Sequence, residues 1–194
     1  PLRWRKPRMV FVNSMSDLFH EDVPSRFIEK VFDVMEELPQ HIFQVLTKRP
    51  ERMYQWTWDN ASNKDDDWFG HIWMGTTVES EEACKERYWW LQNSIAATQS
   101  IAFLSIEPLL APLGPLPLVP AGINWVICGG ESGPGARPCD PEWIRDIVRQ
   151  CREAEVPVFV KQLGSMWARE HGERGKGNDP NIWPEDLRVR EWPR

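Results

Sequence analysis

Six short apolar runs, each ending in polar residues, constrain this chain more than any other feature. They occupy residues 9–13 (MVFVN), 41–47 (HIFQVLT), 71–77 (HIWMGTT), 101–106 (IAFLSI), 123–128 (INWVIC) and 156–161 (VPVFVK). Runs that are continuously apolar rather than alternating read as parallel strands covered on both faces. Segments of helical period lie between them. Over residues 22–38, Pro24 suits a first turn, Phe27, Ile28, Val31, Phe32, Met35 and Leu38 share one face, and Pro39 stops the helix. Pro50 opens a second helix to about residue 58, and residues 81–95 form a third with a weaker pattern. Asp140 caps a fourth, with Pro141 in its first turn and Trp143, Ile144, Ile147, Val148 and Cys151 on one face.

The remaining segments read as connections. Residues 60–69, with Asp65, Asp66 and Asp67 in a row, are a polar loop, and the proline-rich stretch 109–120 is an irregular crossing. Residues 164–194 are expected to be an irregular tail over one end of the sheet, and residues 1–8 a basic linker. Strands alternating with helices imply a parallel sheet with right-handed crossovers. The expected fold is therefore α/β, a single domain over residues 1–194 built as a parallel (β/α) partial or TIM-like barrel of about six strands. Six strands are fewer than a closed barrel needs, and an open doubly wound sheet is the alternative.

Charge and cysteine usage narrow the function classes. A net charge of −6 argues against strong nonspecific binding of nucleic acid, which depends on many phosphate contacts, although a local basic site is compatible with it. Arg3, Arg5, Lys6 and Arg8 read as a solvated linker rather than a nucleic-acid arm. Twelve tryptophans read as layered core packing rather than a platform for bases. Cys84, Cys128, Cys139 and Cys151 form no C-x-x-C pair and have no histidine at ligand spacing, so no zinc or iron–sulfur site is visible in the chain. Scattered cysteines, no signal peptide and no spanning apolar run predict a cytoplasmic protein without a membrane anchor. A first residue of Pro rather than Met leads us to expect a segment upstream.

Parallel α/β folds bind ligands at the carboxyl ends of their strands. Those ends are polar here: Asn13, Ser16 and Asp17 with His20 behind them, then Thr47-Lys48-Arg49, Thr76 and Glu79, Ser105 and Glu107, Gly129-Gly130-Glu131, and Lys161-Gln162. They are expected to converge on one rim. Asp17 and His20 have the chemistry of an acid–base pair, or of a turn cap and a surface histidine. Glu107 precedes Pro108, which restricts its backbone; an ion pair with Lys48 or Lys161 is its plain role. Lys161 at a strand end has the chemistry for a Schiff base once a carboxylate offsets its burial. In residues 129–137 (GGESGPGAR), glycines allow close backbone approach and Arg137 can fork to a carboxylate or phosphate. That loop reads either as an anion or nucleotide pocket, with Glu131 on a ribose hydroxyl or amino group, or as a tight structural turn. It fits neither the dinucleotide fingerprint nor a P-loop.

Several motifs in register carry a resemblance: FVNSMSDLFHEDVP from Phe11, QVLTKRPERM from Gln44, FLSIEPLL from Phe103, WVICGGESGPGARP from Trp125, VFVKQLG from Val158 and the terminal REWPR. Together they resemble the phage gene-product 37/68 family, the three-cysteine-motif phage proteins. The resemblance implies a radical-SAM-like barrel with a [4Fe–4S] cluster held by a C-x6-C-x2-C segment, which would lie upstream of Pro1. Radical-SAM enzymes place a GGE early in the barrel, on the amino group of S-adenosylmethionine. Gly129-Gly130-Glu131 comes late, so the resemblance does not carry that role across.

Two function classes follow. In an enzyme, Ser105, Glu107, Gly129, Gly130, Glu131 and Arg137 would contact S-adenosylmethionine, and Asp17 with His20, assisted by Glu107 and Lys161, would face the reacting groups. Asn13, Ser16, Thr47, Lys48, Arg49, Thr76, Glu79 and Gln162 would then meet the substrate, a small molecule, a nucleotide or a nucleic acid. The alternative is a non-catalytic, metal-free barrel that binds a nucleotide or a partner protein in phage biology. A metal-free hydrolase using Asp17, His20 and Glu107 would need a nucleophile motif, and the sequence shows none.

Overall fold

Continuous apolar runs pair side by side when both faces can be covered, and each of the six runs forms a strand. In the computed structural model, which describes residues 1–61, 70–96, 98, 100–119 and 122–193, these are β1 (Met9–Val12), β2 (Ile42–Thr47), β3 (Ile72–Thr77), β4 (Ala102–Ile106), β5 (Ile123–Gly129) and β6 (Val158–Gln162). The helices are α1 (Ser25–Glu36), α2 (Pro50–Ala61), α3 (Glu81–Ala96), α4 (Pro141–Glu153) and α5 (Ser165–Glu170). The polar loop expected at 60–69 falls outside the described residues from position 62 onward. The sheet has the order β1-β2-β3-β4-β5-β6 and is all parallel, so the fold is α/β. Met9 pairs with Ile42, Phe43 with Ile72, and Val126 with Val158. Every residue of β3 and β4 is buried, as expected of strands covered on both sides. On the edge strand β1, Met9 and Phe11 are exposed.

The chain divides into two compact units, Pro1–Thr76 with Glu86–Phe103, and Thr77–Lys85 with Leu104–Arg194. The first unit buries one face of α1 through Ile28, Phe32 and Met35. Phe32 lies 4.1 Å from Trp56 of α2 and 6.3 Å from Phe19, ring centre to ring centre. Phe27, assigned to that face from spacing, is instead 51% exposed. It lies at the margin of the apolar stripe, and the burial goes to Ile28 beside it. Gly75 of β3 is required by packing: a Cβ there would stand 2.5 Å from the Phe103 ring.

The second unit buries Ile144, Ile147, Val148 and Cys151 of α4, whose cap forms as the sequence indicates, with the Asp140 carboxylate accepting from the Glu142 N–H. The proline-rich connection after β4 is pinned by Gln150 of α4, which accepts from Leu116 N–H and donates to the Gly114 carbonyl. The tail is more ordered than composition suggests. It contains α5 and two 3-10 turns, Pro180–Ile182 and Glu185–Leu187, and it covers the free edge of β6. There Val160 N–H donates to the Val189 carbonyl, Phe159 bridges antiparallel to Arg190, and Trp183 and Leu187 are buried.

The described tryptophans include both core and exposed residues. Trp56, Trp73, Trp125, Trp167 and Trp183 are core, whereas Trp4, Trp58, Trp89 and Trp192 are exposed. Among the described residues no helix is long and apolar enough to cross a membrane.

Candidate functional site

In the first unit the chain leaving β1 turns sharply. Asn13 adopts φ 53°, a conformation its short polar side chain tolerates, and accepts from Ser16 N–H through its backbone carbonyl. The turn delivers Asp17, whose side chain is 17% exposed, to the end of β2. There the carboxylate accepts from Thr47 Oγ1 at 2.7 Å, Phe19 N–H at 2.9 Å, Lys48 N–H at 3.0 Å and the Arg49 guanidinium at 3.0 Å. Thr47, itself buried, accepts from Arg49 N–H through its hydroxyl and from Thr76 Oγ1 through its carbonyl. Arg52 clamps the same loop by donating to the carbonyls of Phe19, His20 and Val23.

The His20 ring pairs with Asp22 instead. Its Nδ1 accepts from Asp22 N–H and lies 3.5 Å from the Asp22 carboxylate. Among the described residues the Asp17 and His20 side chains make no hydrogen bond or ion pair with each other; they are linked only through the backbone, His20 N–H to the Asp17 carbonyl. Ser16 and Lys48 are exposed, and Asn13 is half-buried.

In the second unit the ends of β4, β5 and β6 meet. Lys161 Nζ donates to Glu107 at 2.7 Å; the lysine side chain is 54% exposed and the glutamate 17%. This ion pair joins the strands on either side of β5. Two features of β5 allow it. Its tip is Gly129-Gly130, where a Cβ on Gly129 would stand 2.8 Å from the Gln162 carbonyl and one on Gly130 would collide with the Leu163 carbonyl. The β5–β6 register also slips by one residue: Cys128 pairs with Val160 and Gly129 with Gln162, leaving Lys161 as the extra residue of a bulge. Bulges re-aim a side chain, are rare between parallel strands and recur beside functional sites. Gln162, buried, donates to the Gly130 carbonyl at 2.8 Å. Ser105 is buried on β4 and its carbonyl accepts from Val78 N–H, which leads to the half-buried Glu79.

The glycine-rich loop closes on itself. Glu131 accepts from Arg137 three times, from the backbone N–H at 2.8 Å, Nε at 2.9 Å and NH2 at 2.7 Å. These bonds hold the Glu131 carboxyl down at about 2. The carboxylate that Arg137 forks to is thus the chain's own. Gly164, at φ 100°, lets α5 begin against this loop, with Ser165 N–H donating to the Glu131 carbonyl and Ser165 Oγ accepting from Gly133 N–H.

Sequence reading missed the bulge at Lys161, because a one-residue slip leaves no trace in a short apolar run. It also missed the exposed aromatic face of α2 and α3. The signal available there was the Trp89-Trp90 doublet on a helix of weak pattern.

The model of one protein family matches residues 1–186, nearly the whole chain. The chain belongs to the DUF5131 family. That family is described as proteins of unknown function, in words that name no activity, cofactor or phage origin. No curated protein and no solved structure matches the chain.

The four cysteines are core residues. All are buried and free; burial raises the thiols of Cys84, Cys128, Cys139 and Cys151, the last two to about 12. Among the described residues no group of three or more His, Cys, Asp or Glu side chains is placed to hold a metal ion. A [4Fe–4S] cluster therefore does not fit this set of residues, since it needs clustered thiolates.

Proposed function

We propose that this DUF5131 chain is the strand-and-helix part of a phage-type, radical-SAM-like barrel, working in the cytoplasm. It binds S-adenosylmethionine at the ends of β4, β5 and β6, and any iron–sulfur cluster is held by cysteines upstream of Pro1. The motifs from Phe11 to Gly164 and the all-parallel order of the strands support this. The observation that carries it is the Glu107–Lys161 pair, set by a bulge across a side-chain-free strand tip. The methionine end of the cofactor carries an ammonium and a carboxylate. Glu107 matches the first and Lys161 the second, and glycine backbone lets the ribose approach closely. Since no cluster fits here, the chain's part is to bind and orient.

Calorimetry of the full-length protein with S-adenosylmethionine tests this. Binding is expected, weakened about tenfold or more in Glu107→Gln and Lys161→Met, the range for losing a charged hydrogen bond. Absence of binding both before and after anaerobic reconstitution with iron and sulfide would refute it. A metal-free nucleotide- or partner-binding module is the second reading, favoured by thiols that burial keeps protonated. It predicts that ATP binds the metal-free protein and S-adenosylmethionine does not.

A further inference from the structure

The first unit carries a feature that the cofactor reading leaves unused. On adjoining faces of α2 and α3, four aromatic rings form a continuous array. Tyr54 lies 5.5 Å from Trp90, 5.9 Å from Trp89 and 6.1 Å from Trp58, and Trp89 stands edge-on to Trp90 at 4.6 Å. Trp89 is 49% and Trp58 58% exposed, unusual for the side chain with the largest apolar area to hide. Trp90 also lines a cavity of about 480 Å³, together with Lys48, Arg49, Arg52 and Arg87. Asp17 holds Arg49, and the carbonyls of the β1–α1 loop hold Arg52, before any ligand arrives.

From this geometry we infer a binding surface for single-stranded nucleic acid, with bases stacking on Trp89 and Trp58 and phosphates meeting the lysine and arginine side chains that line the cavity beside Trp90. Stacking needs open base faces, which a duplex lacks, and aromatic platforms tolerate any sequence because every base presents a π-face. The carboxylates Glu21, Glu51 and Glu86 line the same cavity, so it is not a plain phosphate trap. They can accept from exocyclic amino groups of unpaired bases, and they hold the number of phosphates neutralised low. The net charge of −6 opposes diffuse electrostatic binding, so attachment must come from this local array. The residues of this surface do not include Glu107 or Lys161, so the inference does not depend on the cofactor.

The test is titration of the full-length protein with an oligothymidylate of about a dozen nucleotides, a length that spans typical single-strand sites, read by tryptophan fluorescence and by anisotropy of a labelled strand. Saturable quenching is expected. Trp89→Ala should weaken binding about tenfold, and Trp89→Phe, which keeps a stacking ring, should restore most of it. Two or three phosphate contacts give a logarithmic salt slope of about −2, made shallower by Lys48→Ala or Arg87→Ala. A duplex of the same length should bind at least about tenfold more weakly. The inference is overturned by absence of quenching, by Trp89→Ala binding like the parent, or by equal affinity for duplex.

Discussion

At the scale of single residues, the clusters at the strand ends show how a charged side chain gains a fixed role. The Glu131 carboxylate takes three hydrogen bonds from Arg137, which lower its pKa from an ordinary 4.5 to about 2. The charged carboxylate is therefore the form the fold favours. Because the folded value lies below the unfolded one, the pair steadies the loop above about pH 4.5, and that contribution is lost as pH falls toward 2. Following the Glu131 side-chain carboxyl by NMR across this range should give the depressed value in the parent. In Arg137→Gln, which lacks the guanidinium, the midpoint should return most of the way to 4.5. A midpoint near 4.5 in the parent would mean that the loop is open in solution and Arg137 is available to a ligand.

At the scale of elements, Asp17 illustrates what holds one strand–helix unit to the next. Its carboxylate joins the turn after β1 to the start of α2 through Thr47, Lys48 and Arg49. Removing it leaves a buried hydroxyl, two backbone N–H groups and a guanidinium without their acceptor. Asp17→Ala should cost about 2–4 kcal/mol, and Asp17→Asn less, because one acceptor oxygen survives. A urea midpoint that falls at constant slope would register this, and an unchanged midpoint would show that water replaces the carboxylate at no cost. The existence and order of these elements were legible from sequence, since uninterrupted apolar runs and helical stripes reflect burial directly. Their ends moved by one to three residues: α1 starts at Ser25 where residue 22 was expected, and β6 at Val158 where residue 156 was expected. The partnerships of Asp17 were not legible. Whether a carboxylate meets a histidine three residues away or a threonine thirty away depends on where the turn points, and the left-handed Asn13 settles that. The order in the tail was also hidden, because it comes from covering the edge of β6 and not from any periodicity of its own.

At the scale of the whole molecule, the chain distributes its four cysteines as packing residues. A thiol serves as a metal ligand or nucleophile only as thiolate, and burial in apolar surroundings opposes that form. Cys128 illustrates it: fully buried on β5, it is raised well above 9.0, first by desolvation and then by the neighbouring Cys151 and Cys139. In the folded protein, thiol reagents should therefore react with Cys84, Cys128, Cys139 and Cys151 only as fast as the chain opens, whereas urea should expose all four. The same physics separates two origins for any iron the full-length protein takes up. If the ligands lie upstream of Pro1, replacing Cys84, Cys128, Cys139 or Cys151 by alanine lowers stability, by about 1–2 kcal/mol for a small buried side chain, but leaves iron per folded protein unchanged. In that case, replacing cysteines of that segment should abolish iron while leaving the unfolding midpoint of these strands in place. Iron lost on changing Cys128 or Cys139 alone would put the metal inside the sheet. It would require thiolates to form where burial now keeps the sulfur protonated.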